Sequence, residues 1–147
     1  MTAAPPTPPF DLAEAVKHLL SRDEKLKLLI AETESFKMDL ASDGIYTPYD
    51  SLLEAITHQS ISGKAAATIF ARIKALSSTG GVPTPQEMIK LRTQVLRKAG
   101  LSGAKAVAMK DLAKKTIAGV VPSLEESQKL SDEELVKRLT SVRGIGA

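Results

Sequence analysis

The sequence predicts an all-α protein, and three observations predict it. Helix-start signals recur along the chain, the segments behind them carry apolar residues at helical spacing, and breaks marked by glycine or proline keep the connections short. Nothing alternates apolar with polar long enough to demand a sheet, and Gly119-Val-Val121 is only a short run that can be extended.

Asp11-x-x-Glu14, Ser51-x-x-Glu54, Thr84-Pro-Gln-Glu87, Ser123-x-x-Glu126 and Ser131-x-x-Glu134 all fit the capping box, in which a short polar side chain and a later carboxylate satisfy each other's backbone N–H groups. In Thr47-Pro48 and Thr84-Pro85 the proline takes the first helical position, where its missing N–H costs nothing. Leu52, Leu53 and Ile56 form one apolar stripe, and Ala66, Ile69, Phe70 and Ile73 a second. Val107, Leu112 and Ile117 are read as a third, with Lys105, Lys110, Lys114 and Lys115 on the polar positions between. Helices are expected over residues 11–20, 23–32, 48–59, 63–77, 85–91, 93–98, 103–118, 124–129 and 132–141, broken at Gly80-Gly81, Gly100 and Gly119. Residues 1–9, rich in Pro and Ala, are expected to be a flexible N-terminus, and 10–147 one helical domain. Lys37 to Tyr46 is the most ambiguous stretch, and no solenoid-type repeat is visible.

Composition narrows the function classes. The apolar fraction of 43% and charged fraction of 25% are those of an ordinary globular domain. There is no cysteine, which excludes disulfides and thiolate metal sites. His18 and His58 are far apart with no ligand spacing, so no zinc site is expected. No run is long and apolar enough to span a membrane, and residues 2–9 lack the basic start and hydrophobic stretch of a signal peptide. An intracellular protein is expected. Residues 1–59 hold 5 Lys/Arg against 10 Asp/Glu, whereas residues 60–147 hold 15 against 7. The later part is where a polyanion would be drawn, although a solvated basic helical surface would have the same composition.

The last segment, Leu139-Thr-Ser-Val-Arg-Gly-Ile-Gly146, follows a helix capped by Ser131. Two glycines flanking one aliphatic residue permit a tight reversal at positive φ, turning N–H groups outward as an anion cradle suited to a phosphate. Ile145 is expected to turn inward, and Arg143 to stand beside the cradle. A Gly-rich C-terminal cap with no further purpose fits the glycines alone. His58 has no carboxylate or nucleophile placed to partner it, so a packing or polar surface role is expected rather than general-base work.

Three blocks in order carry a resemblance: Leu53-Glu-Ala-Ile-Thr-His-Gln-Ser-Ile-Ser-Gly-Lys-Ala-Ala-Ala67, then Ala99-Gly-Leu-Ser-Gly-Ala-Lys-Ala106, then Leu139 to Gly146. With the Phe10-Asp-x-x-x-Ala15 start, they resemble the DNA-3-methyladenine glycosylases of the helix-hairpin-helix superfamily. The resemblance implies a multi-helix, helix-hairpin-helix glycosylase-like domain, incomplete at its C-terminus. It implies a monofunctional, cofactor-free monomer that removes alkylated purines such as 3-methyladenine from double-stranded DNA in base excision repair, working in the nucleoid or the nucleus according to source. The damaged nucleotide is flipped out, and a carboxylate steadies the oxocarbenium-like sugar.

Carried over by position, Gly144 and Gly146 hold a DNA phosphate through their amides, with Arg143 and Ile145 beside them. The resemblance implies that the Thr140, Val142 and Ile145 carbonyls can bind a monovalent cation, that Ser62 faces the minor groove, and that Ser102 with Lys105 approaches the DNA from another side. Ser62 and Ser102 are also plain helix caps, and the two roles are compatible. This chain departs from the family at Gln59-Ser60, where a Gln-Gln pair is usual, and no acidic residue follows Glu134 to align with the catalytic aspartate. The low aromatic content of 3% fits the same departure. Little or no excision by this chain alone is therefore expected. The alternatives are a non-catalytic DNA-backbone-binding module and a helical protein-interaction fragment that binds no DNA.

Overall fold

The computed structural model describes residues 11–33 and 47–146. The expectations for residues 1–9 and for Lys37 to Tyr46 lie outside them. The described residues are helical with no strand among them, and they fall into two compact units divided after Ile45.

The first unit contains α1 (Leu12–Arg22) and α2 (Glu24–Glu32). Asp11 starts α1 by accepting the Ala13 and Glu14 N–H groups at 2.8 and 3.2 Å. Asp23 ends α1 in an extended conformation and caps α2 through the Lys25 and Leu26 N–H groups. One residue thus makes the break between them.

The second unit contains α3 (Pro48–His58), α4 (Gly63–Lys74), α5 (Pro85–Lys90), α6 (Thr93–Lys98), α7 (Gly103–Ile117), α8 (Leu124–Ser127) and α9 (Asp132–Thr140). All nine expected helices occur, with ends within a few residues. Helix α7 is central and packs against α3, α5 and α6, while α4 packs on α3. The core joins Leu53, Ile56, Ile73, Met88, Leu96, Met109 and Leu112, all fully buried. Truncating one such leucine to alanine costs about 2–5 kcal/mol.

Two sequence expectations need correction. The apolar stripe read on α7 is wrong at both ends, since Val107 is 42% and Ile117 50% exposed. The buried face consists of Ala106, Ala108, Met109, Leu112 and Ala113. Alanines carry much of it, because their small side chains let neighbouring helices approach closely, and a stripe sought among large residues misses them. The Ser51–Glu54 box is not used either. Helix α3 begins one turn earlier, where Thr47 and Asp50 form the box behind Pro48 and leave Ser51 inside the helix.

Candidate nucleic-acid interface

Helix α9 starts at Ser131, whose Oγ accepts the Glu134 N–H at 3.3 Å. The Glu134 carboxylate does not reciprocate but reaches forward to Arg138 at 2.9 Å. The chain leaves α9 through Ser141, and the Val142 N–H still donates to the Leu139 carbonyl at 3.1 Å. Val142 is 1% exposed and anchors the turn in the core, and the partly buried Ile145 packs beside it. Gly144 then reverses the chain at φ +82°. A Cβ there would lie 3.5 Å from the Ala108 Cβ, an ordinary contact, so glycine is required for its backbone angle rather than for space. Gly146 does not share that conformation, and a Cβ there would meet no described heavy atom within 4 Å. The expected pair of positive-φ glycines is therefore one glycine.

The turn's four N–H groups divide into two kinds. Ile145 donates to the Val142 carbonyl at 3.1 Å, and Arg143 to Asp111 Oδ2 at 2.8 Å. Among the described residues, the Gly144 and Gly146 N–H groups have no acceptor, and the exposed Arg143 guanidinium has no partner. Of the carbonyls implied as cation ligands, Val142 accepts from Ile145, while those of Thr140 and Ile145 accept no hydrogen bond among the described residues. Uncharged oxygens at the negative end of a helix suit a hard cation, so these residues fit the implied ion.

The three sequence blocks meet at this turn. Gln59 Nε2 donates to the Gly144 carbonyl at 2.9 Å, across 85 residues of chain. The Lys105 ammonium donates to the Thr57 and Gln59 carbonyls at 2.8 and 2.6 Å, closing the C-terminal end of α3. Lys105 thus ties the second block to the first. The Lys115 ammonium donates to the Ser141 carbonyl and pairs with Asp111 at 3.0 Å. The Arg143 N–H, opposed by partial desolvation and aided by Lys115, holds the Asp111 carboxyl below the usual carboxylate range.

Ser62 and Ser102 both cap helices. Their hydroxyls accept the Ala65 and Lys105 N–H groups at 3.4 and 3.2 Å. Behind them α4 and α7 begin with an exposed glycine and carry no acidic residue in the first turn. Ser60 precedes α4 at φ +58°, the only non-glycine with positive φ among the described residues. His58 Nδ1 lies 3.0 Å from the Glu54 carbonyl, and its ring leans on Phe70, with no carboxylate beside it. No group of three metal-ligating side chains occurs among the described residues, and no described helix is long and apolar enough to cross a membrane.

Sequence reasoning missed Gln59 as a hairpin contact, and it missed Asp111 and Lys115. The i,i+4 spacing of Asp111 and Lys115 is visible in the sequence, but it reads as an ordinary helix-surface pair.

A family model described as the HhH-GPD superfamily of base excision DNA repair proteins matches residues 53–144, covering the first two blocks and the third as far as Gly144. The chain is 36% identical over 135 residues to DNA-3-methyladenine glycosylase 1 of Schizosaccharomyces pombe, covering 92% of this chain and 59% of that protein. It is 28% identical to the alkylbase DNA glycosidase-like protein mag2 of the same organism, covering 63% of it. The chain thus spans about three fifths of the length of these curated relatives. Among solved structures, it matches the S. pombe 3-methyladenine DNA glycosylase in complex with abasic DNA, with a TM-score of 0.83 and 37% identity over 90% of this chain and 64% of that one.

Proposed function

The chain belongs to the HhH-GPD superfamily of base excision DNA repair proteins, and we propose that it acts on alkylated double-stranded DNA. The reaction proposed is that of a monofunctional DNA glycosylase, hydrolysis of the N-glycosidic bond of purines such as 3-methyladenine. The described residues do the holding. The carrying observation is the turn at Gly144, where two N–H groups without acceptors among the described residues stand on a loop fixed by Gln59, Asp111 and Lys115. Such paired amides beside a free guanidinium make a phosphate cradle. The names of the S. pombe relatives, and the abasic-DNA complex of the similar structure, support this reading.

The open starts of α4 and α7 add two further regions of positive potential, at Ser62 and Ser102. A monovalent cation on the Thr140, Val142 and Ile145 carbonyls would supply a point charge between protein and phosphate. The protein is read as a monomer needing no other cofactor, working where the cell keeps its DNA.

A non-catalytic backbone-binding module is a second reading, and one observation favours it. The carboxylate nearest the turn in hydrogen-bonding terms, Asp111, is already engaged by Arg143 and Lys115 and is not free to steady a sugar cation. On either reading the chain is expected to bind duplex DNA; on the first it also releases the damaged base, and on the second it does not. Assaying duplex binding and release of 3-methyladenine from alkylated DNA tests both parts. Release of 3-methyladenine would favour the first reading and binding without release the second, and absence of binding at low salt would overturn the grip.

A further inference from the structure

Two residues of the turn, Ser141 and Arg143, are held by one pair of oppositely charged side chains. Asp111 takes the Arg143 N–H, and Lys115 takes the Ser141 carbonyl. The two side chains lie one helical turn apart on α7, 3.0 Å from each other and only 29% and 27% exposed. A helix-surface ion pair would ordinarily contribute little. This one differs because each member also makes a bond into the same short loop, in a partly desolvated setting that strengthens both. The ammonium meets a carbonyl left without a helical partner at the end of α9, where the helix dipole favours a cation.

The carboxylate brings a cost that the ammonium offsets. It is a good anchor for the Arg143 N–H, but it places a negative charge one residue from Gly144, whose own N–H has no acceptor among the described residues. Like charges at such separations oppose each other appreciably even at protein-surface permittivity. Lys115, in contact with that carboxylate, cancels its field.

We propose that Asp111 and Lys115 are positioning residues for the phosphate-binding turn. Asp111 fixes the turn through the Arg143 N–H. Lys115 fixes it through the Ser141 carbonyl and neutralises the anchor so that an anion can approach. Neither touches DNA. This rests on the reading of the turn as a phosphate grip.

A double-mutant cycle on the full chain tests it, with a fluorescent DNA duplex as probe and thermal melts confirming that each variant folds. Lys115→Met leaves the Asp111 charge bare and is expected to weaken binding about tenfold at low salt. Asp111→Asn keeps an acceptor for the Arg143 N–H but removes the charge, and is expected to tighten binding severalfold. In the Asp111→Asn background Lys115→Met should cost severalfold less than it does in the parent, so the double variant binds more tightly than the two single effects sum to, the non-additivity expected of coupled neighbours. The slope of log affinity against log salt should not change in Lys115→Met, whereas loss of a direct phosphate contact would reduce it by about 0.9. Additive effects, a reduced slope, or weakening by Asp111→Asn would each overturn the proposal. Gly144→Val serves as the control for the grip itself. If it leaves binding intact, the grip reading fails. If it weakens binding while the cycle shows no coupling, only the positioning roles fail.

Discussion

Five of the seven described helix starts in the second unit are of two sorts. Helices α3, α5 and α8 begin with complete capping boxes, in which Asp50, Glu87 and Glu126 lie over their own N-terminal N–H groups. Their starts meet around a cleft of about 410 Å³ lined by Thr47, Asp50, Thr84, Ser123 and Glu126. Helices α4 and α7 begin with a serine hydroxyl and a glycine, with no acid in the first turn. The six-residue α6 also lacks an acid there, but has no side-chain cap at all. In the first sort, the protein's own carboxylates occupy the place an external anion would take. In the second, the positive end of the dipole is left to solvent or to a phosphate. The open starts adjoin the first and second family blocks, and the closed ones do not include Ser62 or Ser102.

The largest expected effect is at the turn that accompanies the open starts. Gly144→Val forces a β-branched residue to φ +82°, which costs about 1–3 kcal/mol of backbone strain or moves the turn. Duplex binding should fall more than tenfold, checked by fluorescence anisotropy.

The sharpest way to break the contrast is to close an open start. Gly63 and Gly103 have room for a side chain, since a Cβ at either position would meet no heavy atom within 4 Å. Gly63→Asp and Gly103→Asp should each weaken duplex binding about fivefold by presenting an anion to the phosphate. Each should also stabilise its helix by about 0.3–1 kcal/mol, because the same charge favours the dipole. Opposite signs in binding and in urea unfolding are the signature, and parallel losses would mean the starts are merely structural.

The reverse change probes a closed start. Glu87 is held at about 2, below its ordinary 4.5, by hydrogen bonds from the Ser78 hydroxyl and the Thr84 N–H foremost. A depressed carboxyl contributes stability that is complete above about 4.5 and is lost as pH falls toward 2. Glu87→Gln should therefore unfold at lower urea at pH 7, converge with the parent near pH 2, and bind DNA unchanged. Among the changes at the open starts the smallest effect on binding is expected from Ser62→Ala, which removes one cap at a cost of about 1 kcal/mol and leaves the first-turn N–H groups of α4 in place.

How much the sequence reveals depends on how local each feature is. Every described helix is legible because caps, prolines and glycines act within a few residues, as at Thr47-Pro48 and Asp23. The burial of α7 is not, because alanine lies on either side of the apolar boundary until a neighbour is present. Ile145 does turn inward as expected, since an aliphatic between turn residues has few other places to go. The contact from Gln59 to Gly144 spans 85 residues, and nothing local announces it. The family resemblance points Lys105 toward DNA, whereas its ammonium closes α3 through Thr57 and Gln59. A lysine's long stem makes its destination a tertiary matter.

The salt dependence of duplex binding by the full chain tests the backbone grip most directly. On the proposed reading the turn at Gly144, with Arg143 beside it, and the starts at Ser62 and Ser102 each take a phosphate, so log affinity should fall linearly against log salt. That slope should become shallower by about one in Gly63→Asp and again in Gly103→Asp. Binding that is indifferent to salt, or absent at low salt, would contradict a grip built from this turn and these two helix starts.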